Sequence, residues 1–552
     1  MRPLAVPLIV LLWASLAHAE PLPGYLDSHE YERRLPTDNL PVEAYRPVVT
    51  DVRWSAPRTT APLSNATQLV LHKVRFEGGT VFPLSELREH YQPLIGREIT
   101  VGELQQFTER LTQRYQRDGY PLSYAYLPPQ DLAEGRVHVV LVEGYIHDYE
   151  LLGDIGPAAA YLEQMMARLQ AERPLTQAAL ERFTGLAQRM PGLSVYAEVA
   201  AAQVPGDAAR LRLHVWRKPY AAGVTLAAGS RENPQALVKV SSNAQTRFAE
   251  QLTASFLLRP GDDRTHYQRL DYSQYLDAQG SQLLLSAKRY RSEPGTRVRL
   301  QDGTDLTQRR QVEQYAIGLG QALMVESNEW INLSGRLYSS SEHLEQRICC
   351  QREYDTAVRG LSFEGDWRKG DERRLRIVSA GVYQGLDYLG ARSDADYDMD
   401  FLRFQVSGLQ SDQLFDNWQG VVSAALYWSD DRLPDSERAV FGGQHFGRGY
   451  PSDQAAGDKG WGVAYELNYR LTPGAGWLKV VQPYAVLDAA QAWYNGGPYE
   501  DAHMGSVALG VRLGDGHHGN VALEVARPLA DEALDSASRT VRLMLSISYQ
   551  LE

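Results

Sequence analysis

The sequence predicts a transmembrane β-barrel of about 16 antiparallel strands, preceded by two small α+β domains. Three observations support this fold class. The N-terminus has the pattern of a secretory signal, and residues 217–552 alternate between apolar and polar side chains with almost no helical period. Between these regions, residues 69–216 contain one order of strands and helices twice.

Residues 1–19 have the features of a cleaved signal peptide. Arg2 gives a positive start, an apolar run extends from Leu4 to Leu16, and Ala17-His18-Ala19 supplies small residues at a cleavage site. The apolar run is shorter than the roughly 20 residues that a membrane-spanning helix needs. We therefore expect a mature chain that begins at Glu20 and has crossed a membrane.

Residues 20–68 are polar and interrupted by prolines. Tyr25 to Arg34 has the composition of a short helix. From Pro36 to Asn65, prolines and charged residues recur without a period, which is typical of a linker.

Residues 69–145 predict one small domain with the order β-α-α-β-β. A capping box at Thr100-Val101-Gly102-Glu103 opens its amphipathic second helix. Residues 146–216 repeat the plan and end in an alternating strand, Ala209 to Trp216. Tandem modules of this kind present sheet edges and grooves rather than a catalytic cleft.

Residues 217–552 predict the barrel. The last segment is the clearest, because apolar residues at the odd positions from Val541 to Leu551 alternate with Arg542, Ser546 and Ser548. Such alternation separates lipid-facing from lumen-facing side chains in a spanning strand of about 9–11 residues. At about 21 residues for each strand and its connection, the region accommodates about 16 strands.

The composition agrees with a barrel and argues against nucleic acid as a partner. The mean hydropathy is −0.38, as expected where apolar and polar strand residues cancel. The 31 tyrosines and 10 tryptophans suit aromatic girdles, and a net charge of −12 opposes binding to a polyanion. Cys349 and Cys350 are adjacent, so CxxC metal spacing is absent, whereas their redox state and role stay open.

One long connection carries the candidate functional residues. It includes the glycine-spaced run from Phe441 to Tyr450, which places Arg448, Gly449 and Tyr450 near its tip. A guanidinium can bind a carboxylate through two parallel hydrogen bonds, so we predict that Arg448 binds Asp488, a lone carboxylate in a later strand. Gly449 would let the chain bend, and Tyr450 would pack beside the pair. These four residues form the predicted loop latch in the lumen.

At these motifs the chain resembles the TpsB outer-membrane transporters of two-partner secretion, the group of the filamentous-haemagglutinin and haemolysin transporters. The resemblance covers nearly the whole mature chain. Its matching segments are Gly119-Tyr120, Tyr126 to Gln130, Gly135 to Val137, Glu143 to Ile146, Pro191-Gly192, Gly442-Gly443, Arg448-Gly449-Tyr450, Gly457-Asp458 and Pro483 to Ala489.

The resemblance implies that the two small domains are POTRA domains in the periplasm. They would capture an unfolded client protein (an adhesin, haemolysin, protease or contact-dependent toxin), which the 16-stranded barrel exports without any cofactor. Residues 20–68 would be a plug helix and linker. Outer-membrane lipid and, during biogenesis, the barrel-assembly machinery would be further partners.

Two alternatives stay open at this point. A barrel-assembly factor of the same superfamily would usually carry more modules, and a passive porin or nutrient receptor would not need them. An enzyme is disfavoured, because the sequence has no GxSxG elbow, HExxH pair or P-loop.

Overall fold

The computed structural model describes residues 35–36 and 67–551, apart from 200–207, 231, 259–264, 293–297, 300–304, 348–350, 453, 475–477, 497–500 and 516–517. The predicted signal peptide, the predicted helix from Tyr25 to Arg34 and the two cysteines lie outside the described residues. Within the described ranges, none of the helices combines the length and the apolar character that a membrane crossing requires.

The first domain is a three-stranded sheet and a two-stranded sheet covered by helices. Strand β5 lies at the centre of the larger sheet, parallel to β2 and antiparallel to β4, whereas β1 pairs with β3. In chain order the elements are β1 (Gln68–Val70), β2 (Lys73–Glu77), α1 (Leu84–Tyr91), β3 (Glu98–Thr100), α2 (Val101–Arg117), β4 (Tyr124–Tyr126) and β5 (Arg136–Val142).

Helix α2 forms where its capping box predicts. The Thr100 hydroxyl accepts from the Glu103 amide at 3.1 Å, and the Glu103 carboxylate accepts from the Thr100 amide at 2.7 Å. Its apolar stripe, including Leu104, Phe107 and Leu111, is buried in the core of the domain. Residues with a period of 3.6 therefore form one packed face of the helix.

The second domain repeats this arrangement. Its sheet has the order β6-β8-β7, with β6 parallel and β7 antiparallel to β8. The elements are β6 (Tyr145–Leu152), α3 (Ala159–Ala171), α4 (Gln177–Gln188), β7 (Leu193–Val199) and β8 (Ala208–Arg217). Tyr145, which we had expected to end the first domain, begins β6 instead. The reason is that the chain passes Gly144 in close contact with Leu122, leaving no room for a side chain there.

Sixteen long antiparallel strands close into a barrel in the described region, which confirms the predicted fold class. They are β9 (Tyr220–Gly229), β10 (Glu232–Asn243), β11 (Gln251–Leu258), β12 (His266–Tyr275), β13 (Ser281–Ser292), β14 (Asp305–Val325), β15 (Glu329–Arg347), β16 (Gln351–Gly370), β17 (Arg374–Gly385), β18 (Leu402–Phe415), β19 (Trp418–Ser429), β20 (Lys459–Tyr469), β21 (Val480–Trp493), β22 (Ala502–Gly514), β23 (Gly519–Pro528) and β24 (Arg542–Leu551).

The last strand closes the barrel and has the predicted alternation. Strand β24 pairs with β9, with Leu551 opposite Ala222. Leu543 and Leu551 are exposed on the outer surface, whereas Arg542 is buried towards the lumen. A strand period of two therefore divides lipid-facing from lumen-facing side chains.

The second domain is docked on one end of the barrel. Arg182 of α4 donates to the Gln279 carbonyl at 2.7 Å and to the Ala322 carbonyl at 2.9 Å. Tyr161 of α3 stacks on Tyr275 with ring centroids 4.7 Å apart. The domain and the barrel turns also share one apolar core, so the module sits at a defined position against the barrel.

The lumen loop and its candidate latch

Residues 430–458 form a loop, called the lumen loop below, that connects β19 to β20 and folds back into the barrel. Within it, Ala439–Phe441 pairs with Ala455–Gly457 as a short antiparallel ladder. A loop that folds inward must bury its polar backbone, and such a ladder satisfies part of that backbone internally.

Apolar packing holds the loop against one side of the lumen. Phe441, Phe446 and Tyr450 are each 1% exposed and belong to one buried cluster with wall residues such as Tyr484 and Val486. Two wall glycines of β20 make room for the rings. A Cβ on Gly460 would lie 2.5 Å from the Phe441 ring, and a Cβ on Gly462 would lie 2.6 Å from Cγ of Phe446.

The Arg448 guanidinium lies between two wall carboxylates. Its Nη1 donates to Oε2 of Glu524 at 2.5 Å, and its Nη2 donates to Oε2 of Glu466 at 3.1 Å. Arg512 donates to the other oxygen of Glu466 at 2.8 Å, and the Tyr484 hydroxyl donates to Glu524 at 2.8 Å. These buried groups therefore form one connected polar network in which each carboxylate binds more than one donor.

Asp488 binds the backbone of the loop. Its carboxylate accepts from the Gly447 amide at 2.7 Å, the Arg448 amide at 3.3 Å and the Ser506 hydroxyl at 2.6 Å. A carboxylate that accepts several N–H and O–H groups is well suited to fix a loop tip.

The predicted partner of Arg448 was therefore wrong, although Arg448 and Asp488 both contact at the loop tip. The physical reason is reach. Asp488 has a short side chain and lies directly beside the loop backbone, whereas the long arginine side chain extends past it. The guanidinium meets Glu466, which stands two residues further along β20 than Ala464, the register partner of Asp488.

Gly449 and Tyr450 have separate roles at the tip. A Cβ on Gly449 would lie 2.5 Å from the Pro528 nitrogen and 2.6 Å from the Arg527 carbonyl carbon, so glycine is needed for a close backbone approach. The Tyr450 hydroxyl donates to the Gly505 carbonyl at 3.2 Å and accepts from the Ala530 amide at 3.2 Å. The tip is thus joined to the ends of β22 and β23.

Sequence reasoning missed Glu466, Glu524, Arg512 and Tyr484. A signal was present, because the three charged residues occupy polar positions in alternating strands close to Asp488 in sequence. Charged residues on the lumen face of strands β20 to β23 could have been grouped with Arg448 on that basis.

One residue of the N-terminal segment also reaches the lumen. Leu35 is buried in a cluster with Leu257, Tyr267, Tyr290 and Val312, on the wall formed by β11 to β14. This wall lies away from the strands that hold the loop tip.

The fold and this site define a class of protein: an outer-membrane barrel with a lumen loop and two modules on the periplasmic side. The description "POTRA domain, ShlB-type" matches residues 69–144, and "Haemolysin secretion/activation protein ShlB/FhaC/HecB" matches residues 283–513. The chain belongs to this ShlB/FhaC/HecB family, which includes the TpsB transporters. Its barrel lies in the bacterial outer membrane and its POTRA domains lie in the periplasm.

The curated relatives match a limited part of the chain. The heme/hemopexin transporter protein HuxB of Haemophilus influenzae (strain ATCC 51907 / DSM 11121 / KW20 / Rd) is 20% identical over 170 residues, which cover 28% of this chain and 30% of that protein. The match thus spans less than a third of the length of that relative.

Solved structures match over nearly the whole length. CdiB from Escherichia coli has a TM-score of 0.70 at 18% identity and covers 90% of this chain and 94% of its own. CdiB from Acinetobacter baumannii has a TM-score of 0.61 at 15% identity, covering 91% and 95%. BamA from Haemophilus ducreyi lacking POTRA domains 1–3 has a TM-score of 0.51 at 14% identity, covering 88% and 100%. These similarities establish the fold.

Proposed function

We propose that this protein is the outer-membrane pore of a two-partner secretion system, which captures an unfolded client in the periplasm and exports it to the cell surface. The observation that carries the proposal is the combination of two POTRA domains, one of them docked on the barrel, with a lumen loop bound inside that barrel. A passive porin has no use for the modules, and export of a polypeptide needs both capture and a path.

Client capture would use sheet edges. Strand β7 (Leu193–Val199) is an edge strand of the second domain, and β4 (Tyr124–Tyr126) is an edge strand of the first. An extended client segment can add to such an edge through main-chain hydrogen bonds, which tolerate varied side chains. This mode suits an unfolded adhesin, haemolysin, protease or contact-dependent toxin. In this proposal the protein is not an enzyme and uses no cofactor.

The latch residues would keep the lumen loop inside the barrel at rest. Arg448 would do so through Glu466 and Glu524, and Asp488 through the backbone amides of the loop. Gly449 permits the close approach at the tip, and Tyr450 ties it to the strand ends. Release of these contacts would accompany passage of the client.

The direct test is co-expression with the large secreted protein encoded by the neighbouring open reading frame. Export of that protein to the medium or cell surface should require the full chain, and it should stay in the periplasm of cells that lack it. Levels of other outer-membrane proteins should be unchanged. A general loss of barrel proteins in those cells would instead identify an assembly factor, and unaltered client export would refute the proposal.

A further inference from the structure

A second buried contact joins the lumen loop to a different part of the wall. Glu437 ends the short 3-10 helix Asp435–Glu437 in the first arm of the loop. Its carboxylate lies 3.4 Å from Nη2 of Arg403 on β18, and its carbonyl accepts from Nη1 of Arg403 at 3.2 Å. The two side chains are 1% and 2% exposed, so this is the most deeply buried loop-to-wall ion pair in the described residues.

The surroundings fix the Arg403 guanidinium in place. It stacks over the Tyr383 ring of β17 at 3.8 Å from the centroid. Tyr338 of β15 is also buried in this cluster, whereas Nε of Arg403 finds no hydrogen-bond acceptor in the described part of the chain. The pair is therefore well positioned but incompletely compensated for its loss of water.

The two anchors hold different parts of the loop to different strands. The tip is bound to β20, β21, β22 and β23, through Glu466, Asp488, Ser506 and Glu524. The first arm is bound to Arg403 on β18, beside β17 and β15. The loop thus connects two sectors of the barrel wall, with the charge order reversed, since the arginine belongs to the loop at the tip and to the wall at the arm.

The chemistry of the second contact suits reversal. The desolvation of two buried charges offsets most of their attraction, so a buried ion pair adds little net stability. When such a pair separates into a water-filled lumen, both charges regain hydration. The tip anchor is different, because its release exposes the rings of Phe441, Phe446 and Tyr450.

We propose that Arg403 and Glu437 form a second, reversible anchor that holds the first arm of the lumen loop across the pore at rest. They are positioning residues for export, acting through the loop, and in this respect the inference rests on the proposed function. The arm separates from the wall more readily than the tip, and its movement widens the lumen while the tip stays bound.

Pore conductance tests the anchor without any client. Purified full-length protein is inserted in planar bilayers, and wild type is compared with Glu437→Gln, with Glu342→Gln as matched control. Glu342 pairs with Arg310 at 2.5 Å and is similarly buried, but that pair joins two wall strands. We expect a several-fold rise in open probability for Glu437→Gln and none for the control. The reversed pair Arg403→Glu/Glu437→Arg should return it towards wild type.

A labelling experiment covers the case of poor insertion. Ser436→Cys is introduced after both native cysteines are replaced by serine, and folded barrel is selected by its heat-modifiable migration. Ser436 is 3% exposed, so a water-soluble maleimide should label it slowly, and several times faster when Glu437→Gln is added. Equal conductance and equal labelling in wild type and Glu437→Gln would overturn the anchor. Loss of gating control in a chain that exports no client would support the anchor and count against the proposed function.

Discussion

The two sides of the barrel lumen differ in how they are filled. Along β20 to β23 the tip of the lumen loop packs against the wall through aromatic rings and a connected ion network. Along β11 to β17 the wall borders a cavity of about 140 Å³ with polar lining residues, among them Lys288, Arg336 and Glu364. The loop is therefore bound to one sector by many contacts and to the rest of the barrel by few.

This difference teaches that a lumen loop needs two kinds of contact. Apolar rings buried against wall glycines supply stability that does not depend on charge. Buried ion pairs supply position, because each charge is costly to leave without its partner. Where both kinds occur together the loop is fixed, and where an ion pair acts alone, as at Arg403, the contact is more easily reversed.

Arg448→Ala should produce the largest effect on the filled side. It leaves Glu466 and Glu524 buried without their shared cation, and breaking a buried pair in this way costs about 3–5 kcal/mol. We expect the barrel to assemble but client export to fall at least about tenfold, which corresponds to about 1.4 kcal/mol or more. Export is measured as client protein in the medium.

The matched control lies on the polar side. Arg336→Ala removes an arginine whose side chain is 40% exposed and 3.6 Å from Glu364. A partly exposed pair contributes about 0–1 kcal/mol, so export should stay close to wild type. Equal losses in both variants would show that the two sides do not differ as described.

Gly449→Ala should have an intermediate effect. The new Cβ would overlap the backbone at Pro528, which cannot rotate away as a side chain could. Overpacking of this kind costs about 1–3 kcal/mol, and we expect a lower thermal stability of the loop-bound barrel and a several-fold loss of export. Gly496→Ala is the control, since its nearest neighbour is 3.7 Å away. A normal export level for Gly449→Ala would argue against tight packing at the tip.

Asp488→Asn should have the smallest effect of the three. The amide oxygen of asparagine can still accept from one loop amide, so the loss is about that of one charge-assisted hydrogen bond, roughly 1.5–3 kcal/mol at most. We expect a partial decrease in export. The exchange Arg448→Asp/Asp488→Arg should not restore function, because Arg448 pairs with Glu466 and Glu524. Full recovery in that exchange would reinstate the direct pair.

The fold was predictable from local patterns. Alternation with a period of two marks β24, and the capping box at Thr100 and Glu103 marks α2, because both depend on neighbours in sequence. The duplicated order of strands and helices likewise predicts the two POTRA domains. The sequence also placed Arg448, Gly449 and Tyr450 near the tip of a long loop.

Only the tertiary structure decided which groups these residues contact. Alternation tells which face of a strand a side chain occupies, but not which strand lies opposite across a filled lumen. Glu524 meets Arg448, and Arg403 meets Glu437, at separations of 76 and 34 residues. Strand register and side-chain length set these partners, since a short aspartate reaches the loop backbone where a long arginine extends beyond it.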